Sequence, residues 1–450
     1  MRSSSSSSEL FTKQALRKLV VPLFLDQILL MAVGIVATLM LSHAGEAAVS
    51  AVSMVDMINV LLFNLFAALD TGGAVVVSQY FGKKDSVSAR EAATQLVALT
   101  IVISLLILLL VAFFHGPVLK ILFGAVDREV MDDARIYFLI SGLSYPFISA
   151  YNSGAAIFRS MGKSRVSMFV SVFMNAVSVG GIAIAVFGFH AGVQGVAWAQ
   201  FTARGAAAAV MLFLASNRKN TVFVQLRRFF SWNRPMIVRI LRIAVPSGIE
   251  NGLYQLGRIL VISMVARFGT SQIAANGITQ TLVMAAISYA SAMNLAIVTV
   301  IGHCVGARDY EQAIAYAQRL IRQTYIVTAA ISVAEIVVLP LLLRLYAISP
   351  ETARLTFLLV GIHNGLAIVL WPLSFTLSNA LRAAGDVRFT MVTAIVSMFG
   401  FRISFAYVLG IILGMGVVGI WLAMGLDWTF RAVIFVIRFR SSRWKSFTVV

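Results

Sequence analysis

Eight charged side chains fall inside long apolar stretches of this 450-residue chain: Asp26, Asp56, Asp70, Glu250, Arg258, Glu335, Arg402 and Asp427. A charge at the centre of a bilayer costs about 2.5–3.5 kcal/mol on insertion scales, so each needs a partner or a task. Context singles out Asp26 and Glu250, each four residues after a proline, Pro22 or Pro246. Proline removes a backbone donor and loosens a helix. A carboxylate beside the freed carbonyls could take up a proton or a cation. Glu250 and Arg258 are eight residues apart and share a helix face, but about 12 Å of rise keeps them from touching. With Asn251, Tyr254 and Gln255 they form a polar stripe suited to line a pathway. Asp70 is followed by Thr71-Gly-Gly73. Glycines there permit close helix packing or a broken helix, and Asp70 reads either as a transport residue or as a structural pair with an arginine. Arg402 is expected to neutralise a buried acid, and Asp427 can reach Arg431 one turn along. Asp56, Asp427 and Glu335 read as structural or interfacial, Glu335 without an evident partner. Tyr151, Trp371, Phe375 and Tyr407 could line an apolar cavity.

Other chemistry is sparse. The five histidines have no metal-ligand spacing, and the single cysteine, Cys304, excludes an internal disulfide. No phosphate-binding loop, nucleophile elbow or zinc motif occurs. The chain reads as neither an enzyme nor an ATPase, and it calls for no cofactor.

Hydrophobic residues make up 60% of the chain and charged residues 12%, against about 25% charged in soluble domains. Apolar runs divide into twelve spans near 15–41, 52–79, 93–114, 133–156, 164–187, 192–214, 237–267, 275–303, 316–344, 355–380, 388–412 and 416–438. The expected fold is an all-α membrane protein. With a cytoplasmic N-terminus, 26 of the 36 Lys and Arg lie inside and six in outside loops, which sets both termini in the cytoplasm. The net charge of +18 is spread over short clusters between spans, a membrane pattern rather than a nucleic-acid surface. Residues 1–12 form a polar, serine-rich tail expected to be disordered. It lacks the features of a secretory signal.

The chain also matches itself at an offset of about 224 residues. Val21-Pro22 and Asp26 fall on Val245-Pro246 and Glu250, Gly45 on Gly269, Gly82 on Gly306, and Gly192-Val193 on Gly416-Val417. Arg159-Ser-Met-Gly-Lys-Ser-Arg165 meets Arg382-Ala-Ala-Gly-Asp-Val-Arg388 at 223. The duplication implies a six-helix lobe at 13–216 and another at 237–440, joined by a basic cytoplasmic linker at 217–236 and ending in a tail at 441–450. Six spans per half makes the repeats parallel.

Thr71-Gly-Gly-Ala-Val-Val-Val-Ser-Gln-Tyr-Phe-Gly82, its partner Val300-Ile-Gly-His-Cys-Val-Gly306 and the paired arginine loops resemble the multidrug and toxic compound extrusion (MATE) family of the MOP flippase superfamily. The resemblance spans residues 13–438. It implies two six-helix lobes forming a V-shaped cavity, and a monomeric antiporter in a bacterial plasma membrane. It further implies efflux of amphipathic, usually cationic, drugs in exchange for protons or sodium. A flippase or exporter for one lipid-linked or natural-product substrate is the alternative. The chain departs from well-known branches at Val36-Ala37-Thr38, where they carry an aspartate, and at Tyr254 and Trp371-Pro372, where the sodium-coupled branch carries acids. Coupling is then expected to fall to Glu250, Asp26 or Asp70. An anionic wall of Asp70 and Glu250 would favour cations.

Overall fold

The computed structural model describes residues 9–124, 126–345, 348–447 and 449–450, so the serine tract at 3–8 lies outside the described residues. Those residues hold helix and no strand. The first half runs through α1 (Lys13–Ser42), α2 (Glu46–Gly82), α3 (Ser86–Phe123), α4 (Arg128–Leu143), α5 (Tyr145–Ser160), α6 (Ser164–Ala183) and α7 (Gly192–Ala215). The second half contains α8 (Arg234–Val265), α9 (Thr270–Leu282), α10 (Met284–Gly306), α11 (Tyr310–Leu345), α12 (Pro350–Trp371), α13 (Leu377–Ala383), α14 (Val387–Val396) and α15 (Gly416–Arg440).

Among the described residues, ten helical stretches are long and apolar enough to cross a membrane. They match ten of the twelve spans expected from sequence. The fourth expected span is two 16-residue helices, α4 and α5, that meet at Ser144 with Pro146 just beyond. The seventh is α8, long enough at 32 residues, but Arg239, Arg242, Glu250 and Arg258 make it too polar to qualify by composition. Pro22 and Pro246 do not break α1 or α8, and the glycines after Asp70 do not break α2. Those glycines serve packing. A Cβ at Gly72 would stand 2.7 Å from the Ile240 carbonyl oxygen on α8.

The duplication is written into the backbone. Left-handed residues recur in both halves at the sequence offset: Gly45 (φ 103°) with Gly269 (87°), Lys84 (62°) with Arg308 (58°), Gly162 (74°) with Gly385 (98°), and His190 (50°) with Gly414 (65°). The turn after the second span is rebuilt in detail. Asp85 Oδ1 accepts from Ser88 N at 3.0 Å, and Asp309 Oδ1 from Gln312 N at 3.0 Å. The Asp85 and Asp309 amides return to the carbonyls of Tyr80 and Cys304. Side-chain acceptance at a helix start satisfies otherwise orphaned donors, so each copy restarts its next helix the same way.

The described chain separates into two compact units. Of the described residues, one unit holds those within 21–81 and 85–248, the other those within 9–20, 82–84 and 249–450. The divisions fall beside Pro22 and Pro246. The basic segment at 217–236 is clamped to α3: Arg90 Nε donates to Thr221 O at 2.9 Å, and Gln95 Nε2 to Ser231 O at 2.7 Å. Both chain ends carry packed residues. Trp444 is 1% exposed, with its Nε1 donating to Phe439 O at 2.9 Å. Phe11 is 7% exposed, although it falls in the tail expected to be disordered. Its amide donates to the Tyr316 hydroxyl at 2.9 Å, and that hydroxyl donates to the Phe11 carbonyl at 2.9 Å. Tyr316→Phe removes both bonds, together worth about 1 kcal/mol or more net. The expected outcome is about fivefold faster tryptic cleavage after Lys13 with the global unfolding temperature little changed.

Candidate functional site

Glu250 meets Arg382 within one unit, and Arg159, the sequence equivalent of Arg382, acts electrostatically on Asp26, the equivalent of Glu250, within the other. Arg382 Nη2 lies 2.9 Å from Glu250 Oε2, and the side chains are 11% and 13% exposed. Asn379 Oδ1 accepts from Arg382 Nη1 at 3.0 Å. In the first-half unit, Arg159 acts electrostatically on both Asp26 and Asp70. Asp26 also accepts a hydrogen bond from Ser171, whose oxygen is 3.5 Å from Asn175 Nδ2. The sequence offered a structural pair with an arginine for Asp70 but did not name Arg382 as the partner of Glu250. The signal for that partner was there in two equivalences lying side by side, the acids at an offset of 224 and the arginines at 223.

The two clusters differ by one charge. Asp70 is 6% exposed, and its repeat mate is the uncharged Asn294, whose Oδ1 accepts from Thr376 Oγ1 at 2.9 Å. The first-half cluster therefore sets two carboxylates against one guanidinium, and the second-half cluster one against one. Oδ1 of Asp26 and Oδ1 of Asp70 are both buried without a hydrogen-bond partner.

Glu250 does not share a cavity with Arg258 as the polar stripe suggested. The stripe divides: Glu250 turns to Arg382, while Tyr254 and Arg258 line a cavity of about 160 Å³ within the second-half unit, together with Trp371, Arg402, Trp421 and Trp428. Asn251 and Gln255 are half-buried and outside that lining. The cavity's geometry comes from irregular helix. Trp371 precedes a π-helical turn at Pro372–Thr376, and Arg402 sits in another at Ser397–Ile403. Such wide turns insert a residue and re-aim neighbouring side chains. A Cβ at Gly257 would meet Met398 at 2.1 Å, so α8 approaches the Arg402 turn closely beside Arg258.

Arg402 has the buried acid expected of it. Asp427, fully buried, lies 3.6 Å from Arg402 Nη1 and 2.9 Å from Arg431 Nε, and accepts a short bond from Ser397. Arg431 caps the rings of Phe375 and Tyr254 at 5.5 and 5.9 Å. Elsewhere, Asp56 accepts from Asn59 and Tyr137 near Arg204, and Glu335 accepts from Asn364 at 3.1 Å. His363, Asn276 and Gln280 also line the cavity and were missed, since isolated polar residues in apolar spans carry no spacing signal.

The MatE family model matches residues 22–214 and 246–408. The chain belongs to the MatE family. This MatE protein is accordingly a multi-pass membrane transporter and not an enzyme. It is 29% identical over 432 residues to YisQ of Bacillus subtilis (strain 168), named an uncharacterized transporter, covering 94% of this chain and 93% of that one. It is 24% identical over 452 residues to NorM of Thermotoga maritima, named a probable multidrug resistance protein, covering 97% and 94%. Its fold matches a MOP superfamily transporter of Pyrococcus furiosus, described as having a binding pocket of reverse polarity, with a TM-score of 0.90, 18% identity and 96% and 97% coverage. An outward-facing multidrug resistance MATE transporter matches with a TM-score of 0.89, 20% identity and 96% and 97% coverage.

In this MatE transporter the Glu250–Arg382 pair is a brace for the second-half unit. Removing one partner of a buried pair costs about 3 kcal/mol, because a lone charge stays behind. Glu250→Ala or Arg382→Ala should each lower the unfolding temperature in detergent, and Glu250→Arg with Arg382→Glu should recover much of the loss.

Proposed function

We propose that this transporter is a proton-coupled antiporter that exports amphipathic organic molecules by alternating access. It would act as a monomer in a bacterial plasma membrane, with both termini and the basic segment at 217–236 in the cytoplasm. The observation that supports coupling is the imbalance at Asp26, Asp70 and Arg159. Two carboxylates in an apolar surrounding share one guanidinium, and each keeps a buried oxygen with no donor. Uptake of one proton makes that cluster neutral, while its loss leaves one buried negative charge. Like charges crowded at one site disfavour full ionisation. A conformational change that opens the cluster to one side then alters proton affinity, and the difference in affinity between states is what drives the cycle.

A proton suits this site better than sodium. Hard metal cations gather several oxygen ligands, whereas here a guanidinium stands among two carboxylates and one hydroxyl. A proton needs a single orphan oxygen. Glu250 is a weaker candidate for coupling, because Arg382 already neutralises it. For the same reason the expected anionic wall of Asp70 and Glu250 loses one of its two charges, and with it the main ground for a cationic substrate.

The repeat supplies its own control. Asn294 stands at the Asp70 position in the second half, so an asparagine suits that place in this fold. In reconstituted vesicles, Asp70→Asn should remain folded and abolish flux driven by an imposed pH gradient. Asp26→Asn should do the same, with at least about a tenfold loss. Undiminished pH-driven flux in both variants, or flux that follows a sodium gradient alone, would falsify proton coupling at this cluster.

A further inference from the structure

The second-half cavity is rich in donors and poor in acceptors. Its two amide oxygens are engaged. Gln280 Oε1 accepts from Arg258 Nη2 at 3.2 Å, and Asn276 Oδ1 from Trp421 Nε1 at 3.0 Å. Asn364 Oδ1, beside it, lies 3.0 Å from His363 Nδ1. The N–H groups are not matched in return. Among the described residues, Arg402 Nε and Nη1, Trp371 Nε1 and Trp428 Nε1 are buried without an acceptor. The charge is unbalanced in the same direction. Arg402 shares Asp427 with Arg431, and Arg258 has no acidic partner among the described residues. Asp427 Oδ2 lacks a hydrogen bond, but Asp427 is behind Arg402 rather than in the cavity lining.

From this arrangement we infer that the cavity is an anion subsite that holds the carboxylate end of an aromatic organic anion. The carboxylate meets Arg258 and Arg402, and its ring lies among Tyr254, Trp371 and Trp428. Guanidinium presents parallel N–H groups that match a carboxylate edge. A ring bearing the carboxylate gains contact with the aromatic walls, where Trp371 and Trp428 already meet edge to face at 5.1 Å. An aromatic cage alone would accept a cation, but two guanidinium groups repel one. A volume of about 160 Å³ is below the ~300–1,000 Å³ of whole drug-sized sites. The cavity therefore takes one end of an amphipath. Binding at this subsite does not depend on the chain being an exporter; only the transport of the bound anion rests on that reading.

The test uses the full chain in zwitterionic nanodiscs with no ion gradient, so failure of proton coupling leaves it unaffected. Isothermal titration compares 2-naphthoate with 2-naphthylmethylammonium, which share a ring system and differ in charge. Naphthoate should bind tighter by about tenfold or more. Arg258→Gln should weaken naphthoate by about tenfold and leave the ammonium probe unweakened, and Arg258→Lys should recover part of the loss. Trp371→Phe keeps a ring and removes an orphan donor. It should also weaken naphthoate, and it serves if Arg258→Gln does not fold. Equal or tighter binding of the ammonium probe overturns the proposal, as does full naphthoate affinity in a folded Arg258→Gln protein. A parallel titration adds phosphatidylglycerol to the nanodiscs. Displacement of naphthoate there would assign the subsite to a lipid headgroup and overturn the small-anion assignment; unchanged affinity supports it.

Discussion

Charge neutralisation inside an apolar medium is the constraint on which this structure depends. Most acids buried within the spans stand near an arginine; Glu335, which accepts from Asn364, is an exception. Glu250 pairs with Arg382, Asp386 with Arg438, and Asp427 with Arg402 and Arg431. Asp26 and Asp70 share Arg159, and Asp56 is near Arg204. Apart from Asp427 with Arg431, one helical turn apart, these interactions join distant parts of the sequence. Asp386 and Arg438 are linked by two bonds of 2.6 and 3.2 Å, which tie the start of α14 to the end of α15. Lipid offers no hydrophobic drive for helices to associate. Ion pairs and small-residue contacts such as Gly72 against Ile240 must then specify which helices meet.

Within that constraint, departures from balance carry information. A neutral pair such as Glu250–Arg382 is sufficient to hold helices and offers a moving ion little. The first-half cluster keeps one carboxylate too many, and the second-half cavity keeps guanidinium groups too many. Each surplus is a cost that folding alone does not explain. The opposite signs of the two suit a transporter that handles a proton in one place and an organic ligand in another. Both surpluses are local to one unit, so each can be altered separately.

Much of the architecture was legible because it rests on patterns that a chain cannot hide. Apolar runs gave the spans, and the offset between halves gave the duplication, later seen in paired left-handed turns such as Lys84 and Arg308. The two spans that differ do so for local reasons: Pro146 and Ser144 divide one, and the charges of α8 dilute the other. The site was only half legible. Acids in apolar runs flagged Asp26, Asp70 and Glu250, and polar residues on α8 flagged Tyr254 and Arg258. What remained hidden was direction. Glu250 and Arg258 share a helix and a face, yet one meets Arg382 and the other a cavity, because π-helical turns at Pro372–Thr376 and Ser397–Ile403 re-aim the partners. Wide turns arise from packing rather than from any residue pattern.

Comparing the two halves position by position separates scaffold from specialisation. An acid under the influence of an equivalent arginine occurs in both copies, as Asp26 with Arg159 and Glu250 with Arg382, which marks the arrangement as part of the repeated framework. The remaining charges inside the spans do not repeat. At the same offset, Asp70 corresponds to Asn294, and Arg258, Asp427 and Arg431 correspond to Gly34, Ala203 and Ala207. A charge needed merely to fold a lobe would be needed in each copy. Asp70 is thus an addition to one framework, and the arginine-lined cavity an addition to the other. A duplicated lobe can gain a charged site in one copy while the other copy shows that the fold stands without it. On that argument we propose the unmatched charges, more than the matched pairs, as the seat of coupling and substrate choice.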